Sequence, residues 1–292
     1  MAIDPDSRRM AAMQTPESWD EPAKSIVKGS GVALVVGNVN AGKSTLAHHL
    51  LHVGSDRGLR TAIVDADLGQ STFGPPTCLS LTFFSPLSSA LPAALHFIGA
   101  TSPAGHLLQV TVGVKLLVER ALAGGAGLVI VDTSGMVQGP QGNLLKRYKI
   151  ELVRPDHLLV LQKRGELEGF LRRLPCPSET KVHRLPISTD ARVRSAAERT
   201  AYRQKQFAAY FEGAKARTIH LSRPRCFVLG PRPTVGRLIG LLDAAGETVG
   251  LGRIRHADAG RIDLVTPVTS FESVRFLQSG SIRLKEDWSE MQ

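Results

Sequence analysis

The sequence predicts an α/β protein built on a doubly wound, mostly parallel sheet, with a helical Arg-rich lid and a small, mostly β C-terminal module. Three observations predict it. Short apolar runs bounded by glycine or proline recur, as strands buried on both faces require. Segments with helical spacing fall between them, so strand and helix alternate, and right-handed crossovers follow. From about Pro224 the texture changes to short β-like runs separated by Gly, Asp and Pro, with no long helix.

The elements follow in order. Residues 1–24 are polar and Pro-containing, carry no apolar signal-peptide core, and are expected to form a partly disordered leader. "GVALVVG" (31–37) is a buried strand, and "STLAHHLLHVG" continues as a helix that stops at Gly54. "RTAIVDADLGQ" (60–70) is a second strand ending in carboxylates, and "LHFIGA" (95–100) is a third candidate. "HLLQVTVGVKLLVERAL" (106–122) has helical spacing. "GLVIVDTSG" (127–135) is a strand ending in a carboxylate and a Gly turn. "NLLKRYKIELV" (143–153) is a helix closed by Pro155, "HLLVLQ" (157–162) a strand, and "ELEGFLRRL" a helix. "DARVRSAAERTAYRQKQFAAYFEG" (190–213) reads as the lid helix. The expected division is a main domain over 25–223, lid included, and a β-rich module over 224–292.

Composition narrows the function classes. The 292 residues are 42% hydrophobic and 21% charged, an ordinary globular balance with enough apolar residues for a sizeable core. No apolar run approaches the roughly 18 residues of a transmembrane helix. Cys78, Cys176 and Cys226 are far apart and show no CxxC spacing. A disulfide framework or zinc site is not indicated, and a reducing cytoplasm fits. The net charge of +10 is concentrated: residues 181–232 hold twelve Lys and Arg against Asp190, Glu198 and Glu212. A localised basic stretch points to a polyanionic partner such as nucleic acid.

The sharpest motif lies where the first strand meets its helix. Gly37, Gly42, Lys43 and Ser44 satisfy G-x-x-x-x-G-K-[ST], a pattern that arises by chance in roughly one chain in a hundred of this length. The glycines let backbone wrap closely around phosphates, and the helix N-terminus presents amide donors to them. Gly37, Asn38, Val39, Asn40, Ala41, Gly42, Lys43, Ser44 and Thr45 are therefore expected to hold a triphosphate. Lys43 is placed on the β- and γ-phosphates and the Ser44 hydroxyl on Mg²⁺. This makes the fold class a P-loop NTPase. Asp65 and Asp67 lie at or just past the end of the second strand, two apart and on one face. One suits the shell of a metal, and the other suits a base that accepts a proton from an attacking hydroxyl. Asp132 ends a third apolar strand, a position from which a carboxylate orders Mg²⁺. Gly135, Gly139 and Gly142 then give a turning loop. A guanine-reading Asn-Lys-x-Asp is missing: "VLQKRGELE" has Lys163, but Gly165 stands at the Asp position, which disfavours a GTPase. On the lid, Arg192, Arg194, Arg199 and Arg203 cluster, and Arg199 and Arg203 are four apart on one face. Such a pair suits charge on a transferring phosphoryl group. Tyr202, Phe207, Tyr210 and Phe211 read as packing.

With these residues in view, the chain resembles the polynucleotide 5′-hydroxyl kinase family, which includes archaeal RNA/DNA kinases, the kinase-like subunit of the mRNA cleavage complex and kinases of pre-rRNA processing. The likeness runs from "PESWDEP" through "GNVNAGKSTLAHHLL", "VDADLGQSTFGPPT", "FIGATSPAGH", "VDTSGMVQGPQGNLLKRYKIELVRPDHLLVL" and "RSAAERTAYRQKQFAAYF" to "GLGRIRHADAGRIDLVTPV". It implies transfer of the ATP γ-phosphate to the 5′-hydroxyl of an RNA or DNA end, in a compact prokaryotic-type member. The resemblance implies that Asp67 is the base, with Asp65 in support or on the metal and Gln70 near the site. Thr133 and Gly135 match a Thr-x-Gly-Trp clasp on the nucleic-acid end, and Arg199 and Arg203 match the lid's Arg-x-x-x-Arg pair. Met136 stands where the clasp carries Trp, and Asn40 where many relatives carry Asp. Arg192 and Arg194 are expected to assist nucleic-acid binding. The alternative expectation is a catalytically inactive, ATP-bound scaffold in RNA processing. Retention of Lys43, Ser44, Asp67, Arg199 and Arg203 favours the enzyme.

Overall fold

The computed structural model describes residues 15–85, 92–188, 194–221 and 226–291. A 3₁₀ turn (Glu17–Trp19) precedes α1 (Asp20–Gly29), β1 (Gly31–Gly37), α2 (Lys43–Asp56), β2 (Thr61–Ala66), β3 (Cys78–Phe83) and β4 (Ala94–Phe97). Then come α3 (Leu107–Ala123), β5 (Leu128–Thr133), α4 (Gly139–Val153), β6 (His157–Gln162), the single-turn α5 (Glu168–Leu171) and β7 (Lys181–Pro186). The chain continues with α6 (Ala196–Tyr210), β8 (Lys215–His220), β9 (Phe227–Leu229), β10 (Arg237–Leu242), β11 (Thr248–Ala257), β12 (Arg261–Thr266) and β13 (Phe276–Arg283).

These elements form two compact units. The first comprises Met1–Asp67, Ser80–Ala93 and Pro103–Arg194. Its strands run in the order β7-β6-β1-β5-β2-β3, parallel except for β3, which pairs antiparallel with β2. The central runs Val32–Val36, Leu128–Val131 and Leu158–Leu161 are buried throughout, which explains why they read as continuous apolar stretches. β1 connects through α2 to β2 on one side of β5, and β5 connects through α4 to β6 on the other side of β1. Right-handed crossovers put α2 and α4 on opposite faces, so the C-terminal ends of β1, β5 and β2 form the ligand-binding edge.

The expected leader is corrected over part of its length. Residues 17–29 are helical, and Trp19 is fully buried, its indole Nε1 donating to the Pro186 carbonyl at 2.9 Å. Ala23, Ile26 and Val27 form the buried face of α1, with Asp20 and Glu21 in its first turn, where they complement the helix dipole. That spacing was the signal in the sequence. α1 packs on α2, and His49 meets Asp20 at 3.5 Å.

The second unit comprises Leu68–Leu79, Ala94–Ser102 and Ser195–Gln292. It differs from the boundary expected at 223/224, because α6 shares a core with the C-terminal strands. Phe207 and Phe211 of α6 lie in one cluster with Cys78, Phe97, Leu238, Leu251 and Leu284. Phe211 stacks on Trp288 at 4.4 Å, and the Tyr210 hydroxyl accepts the Leu251 amide at 2.8 Å. The aromatics of this helix are packing groups, as expected. The unit's sheet is antiparallel through β8-β12-β11-β10-β13, with β4 beside β11 and β9 parallel to β13. A second core of Ile219, Ile239, Leu241, Ile254, Ile262, Leu264, Val274 and Leu277 fills it.

Helix boundaries also shifted. α6 begins at Ala196, not 190, because Ser195 caps it: its hydroxyl accepts the Glu198 amide at 3.1 Å, and Glu198 accepts the Ser195 amide at 2.7 Å. Arg192, expected in the lid, lies outside the described residues. The segment "ELEGFLRRL" forms only the four-residue α5. Strands β7 and β8 carried too little apolar alternation to be read from sequence, whereas β3 alternates Leu79, Leu81 and Phe83 with Ser80 and Thr82, a signal the reading missed.

Candidate phosphate and acceptor site

The phosphate loop leaves β1 at Gly37 and enters α2 at Lys43. Gly42 caps the helix with φ 87°, a left-handed conformation in which a side chain would be strained. The fourteen-residue α2 then directs its free amides at the loop. Trp19 lies under this turn, its ring 3.7 Å from where a Gly42 Cβ would start. A residue from the expected leader thus supports the phosphate loop, which sequence reasoning missed.

Lys43 is buried, and its Nζ donates to the Asn38 carbonyl at 2.8 Å. Burial holds this lysine below its ordinary range, opposed by the charges of Asp132 and Asp67. Asp132 is buried at the end of β5, and its carboxylate faces the Ser44 hydroxyl. Burial pushes Asp132 up to about 6, against the Ser44 hydrogen bond and the Lys43 charge. One oxygen, Oδ1, has no hydrogen-bond partner among the described residues.

Asp65 is buried on β2, in register with Asp132 on the neighbouring strand, and its Oδ1 accepts the Asp67 amide at 3.1 Å. Asp67 lies just past β2, is partly exposed, and interacts electrostatically with Lys43, Asp132, Lys146 and Lys149.

Thr133, for which the resemblance implies contact with a nucleic-acid end, has a fully buried side chain. Its hydroxyl donates to the Val35 carbonyl at 2.6 Å and accepts from Lys146 at 2.6 Å, so its bonding is used inside the protein. Gly135 and Met136 remain partly exposed. Lys146 and Lys149 of α4 are both fully buried, and neither was singled out in the sequence. The available signal was their i, i+3 spacing on the face that also carries Gly142, Ile150 and Val153.

The second unit holds the remaining candidates. Gln70 donates to the carbonyls of Gly69 at 2.6 Å and Arg199 at 3.3 Å, and Tyr202 donates to the Ser71 carbonyl at 3.0 Å. The loop after Asp67 is therefore tied to α6. Arg199 and Arg203 share a face as expected, yet the Arg203 guanidinium is committed to an ion pair with Glu290. Its side chain is only 16% exposed, so as placed it is a tie within this unit. Arg194, the last residue of the first unit, is partly exposed.

The fold and this site define a nucleotide-binding P-loop protein. Residues 37–213 match the family model described as the mRNA cleavage and polyadenylation factor CLP1 P-loop. The chain is 32% identical to a polyribonucleotide 5′-hydroxyl-kinase of Pyrococcus furiosus, covering 94% of each chain. It is 35% identical to a polyribonucleotide 5′-hydroxyl-kinase of Methanocaldococcus jannaschii over 72% of this chain and 58% of that one. Clp1p, solved with Pcf11p, superposes with a TM-score of 0.73 at 14% identity, covering 92% of this chain and 80% of that chain, a likeness of fold. The chain belongs to the polynucleotide 5′-hydroxyl kinase family, of which CLP1 is a member.

Proposed function

We propose that this protein is an ATP-dependent polynucleotide 5′-hydroxyl kinase. It transfers the γ-phosphate of ATP to the 5′-hydroxyl of a polynucleotide, with RNA ends as the first acceptor class to test. The observation that carries the reading is the convergence of Lys43, Asp132 and Asp67 at the ends of three adjacent strands. The relatives' names supply the acceptor class.

The chain's own residues then take definite roles. The amides of the 37–45 loop and of the first turn of α2 bind the phosphates. Lys43 leaves the Asn38 carbonyl to meet the γ-phosphate charge. Asp67 accepts the proton of the attacking hydroxyl, and in-line transfer proceeds mainly by electrostatic stabilisation. Arg199 is kept as the lid arginine for the transferring group, and Arg194 and the basic stretch as strand contacts. Gly135 and Met136 border the acceptor.

A divalent cation fits the same place. Ser44 and Asp132 offer hard oxygen donors, and the unpartnered Asp132 Oδ1 is one such donor left open. No cluster of three or more His, Cys, Asp or Glu side chains suited to a metal occurs among the described residues. Held by Ser44 and Asp132, Mg²⁺ would supply positive charge against the charge of the phosphates. Asp65, whose carboxylate is turned to the Asp67 amide, is a support group in this reading. Among the described residues no helix is long and apolar enough to cross a membrane. The three cysteines are free, which fits action in the cytoplasm.

The test is transfer of γ-labelled phosphate from ATP to matched 5′-hydroxyl RNA and DNA oligonucleotides. Labelled product with wild type and none with Lys43→Ala supports the kinase. ATP binding without any transfer would overturn it in favour of an ATP-bound scaffold.

A further inference from the structure

The loop that follows β5 is held at three points. A Cβ added to Gly135 would lie 2.7 Å from the Val39 backbone nitrogen and Cα, so this loop lies directly against the phosphate loop. A Cβ added to Gly142 would lie 2.7 Å from the Val137 carbonyl carbon, so the first turn of α4 closes on the same loop. Lys146, one turn further along α4, supplies the third hold. Its Nζ donates to the Thr133 hydroxyl at 2.6 Å and to the Ser134 carbonyl at 2.7 Å. Thr133 in turn donates to the Val35 carbonyl of β1 at 2.6 Å. One side chain therefore connects α4, the end of β5 and the strand that feeds the phosphate loop.

A lysine is a costly means of filling space. Lys146 is fully buried, and burial together with the charges of Lys149 and Lys43 holds its amine well below the ordinary lysine range, so a polar group is desolvated at this position. Leu or Met would fill the position with no desolvation cost. What they would lack is the two donated bonds, and those bonds fix a loop whose next residues, Gly135 and Met136, border the phosphate loop at partly exposed positions.

We propose that Lys146 is a positioning residue for the acceptor: by holding Thr133 and Ser134 it sets where Gly135 and Met136 receive the polynucleotide 5′ end beside the phosphate loop. The inference rests on the kinase reading above and adds a residue to it. Lys146 does not touch substrate. It acts through the loop, so its loss falls on the acceptor more than on the fold or the nucleotide.

The experiment compares wild type, Lys146→Met and Thr133→Val, the last removing both bonds to the hydroxyl at nearly constant shape. Steady-state transfer from ATP to a 5′-hydroxyl oligoribonucleotide is measured with each substrate varied, alongside thermal unfolding and equilibrium binding of ATP. The expected result for both variants is a rise of about tenfold or more in the oligonucleotide KM. The ATP dissociation constant should stay within about twofold, and the Tm of Lys146→Met should not fall. An unchanged oligonucleotide KM in an active variant overturns the inference. So does an equal loss of ATP and oligonucleotide affinity with a lowered Tm, because that is the signature of a purely structural lysine. If Lys146→Met does not fold, Thr133→Val decides by the same criteria. No transfer by wild type defeats the kinase reading itself, and this inference falls with it.

Discussion

Lys149 offers a quantitative check on the electrostatics of α4. It is fully buried, and its Nζ has no hydrogen-bond partner among the described residues. Burial lowers it from 10.5 to about 8, and only the charges of Asp67 and Asp132 oppose the fall. At about 1.4 kcal/mol per pH unit, carrying this proton at neutral pH costs the folded state about 3 kcal/mol. Lys149→Met removes the charge at similar volume, and replacing a buried charge by a well-packed apolar group is often stabilising. At about 2–4 °C per kcal/mol for a chain of this order of size, the variant should melt roughly 5–10 °C above wild type at pH 7. The pH dependence has a definite sign. Below about 8 both folded and unfolded wild type hold the proton, and the full penalty is present. Between about 8 and 10.5 the unfolded chain binds more protons than the native one, so wild-type stability rises with pH and the gap closes. The assay is thermal unfolding of both proteins at intervals from pH 7 to 10. A variant that melts below wild type at pH 7, or a gap that does not change with pH, would refute the reasoning.

Three further outcomes are expected. Trp19→Ala should cost about 3–5 kcal/mol, as for a fully buried aromatic, and should weaken ATP binding because the ring supports the Gly42 turn; unfolding and nucleotide titration check both, and unchanged affinity in a folded variant would separate Trp19 from the phosphate loop. Asp67→Asn should leave ATP binding in place and slow transfer by about 10²–10⁴-fold, the usual contribution of a general base; single-turnover rates equal to wild type would remove Asp67 from that role. If the twelve cations of residues 181–232 contact the strand, log K for a single-stranded oligonucleotide should fall linearly with log salt, by about 0.7 for each phosphate neutralised; a flat response in a fluorescence anisotropy titration would assign that charge elsewhere.

The relation between sequence and site is uneven, and particular residues show why. Lys43, Ser44 and Asp132 were legible because a strand, a tight turn and a helix N-terminus are local structures, and their spacing along the chain is their spacing in space. The same holds for the Arg199–Arg203 pair, whose shared face follows from helical periodicity. Arg203 found Glu290, 87 residues away, and no local pattern marks that partner. Thr133 was correctly placed at a strand end, but its hydroxyl turned inward because Val35 and Lys146 satisfy it there.

By itself, the sequence determined the alternating α/β core, the phosphate loop with its lysine and hydroxyl, and the carboxylates at the strand ends, because each depends on contacts within a few residues. Only the tertiary structure decided that Trp19 lies beneath the loop, that β3 runs antiparallel, and that α6 shares a core with the C-terminal strands. It also decided that Lys146 and Lys149 are interior lysines, although they look like surface lysines in the sequence. The physical reason is that desolvation and charge pairing depend on which distant segments close over a group, and that closure is settled only when the sheet and its two layers of helices have formed.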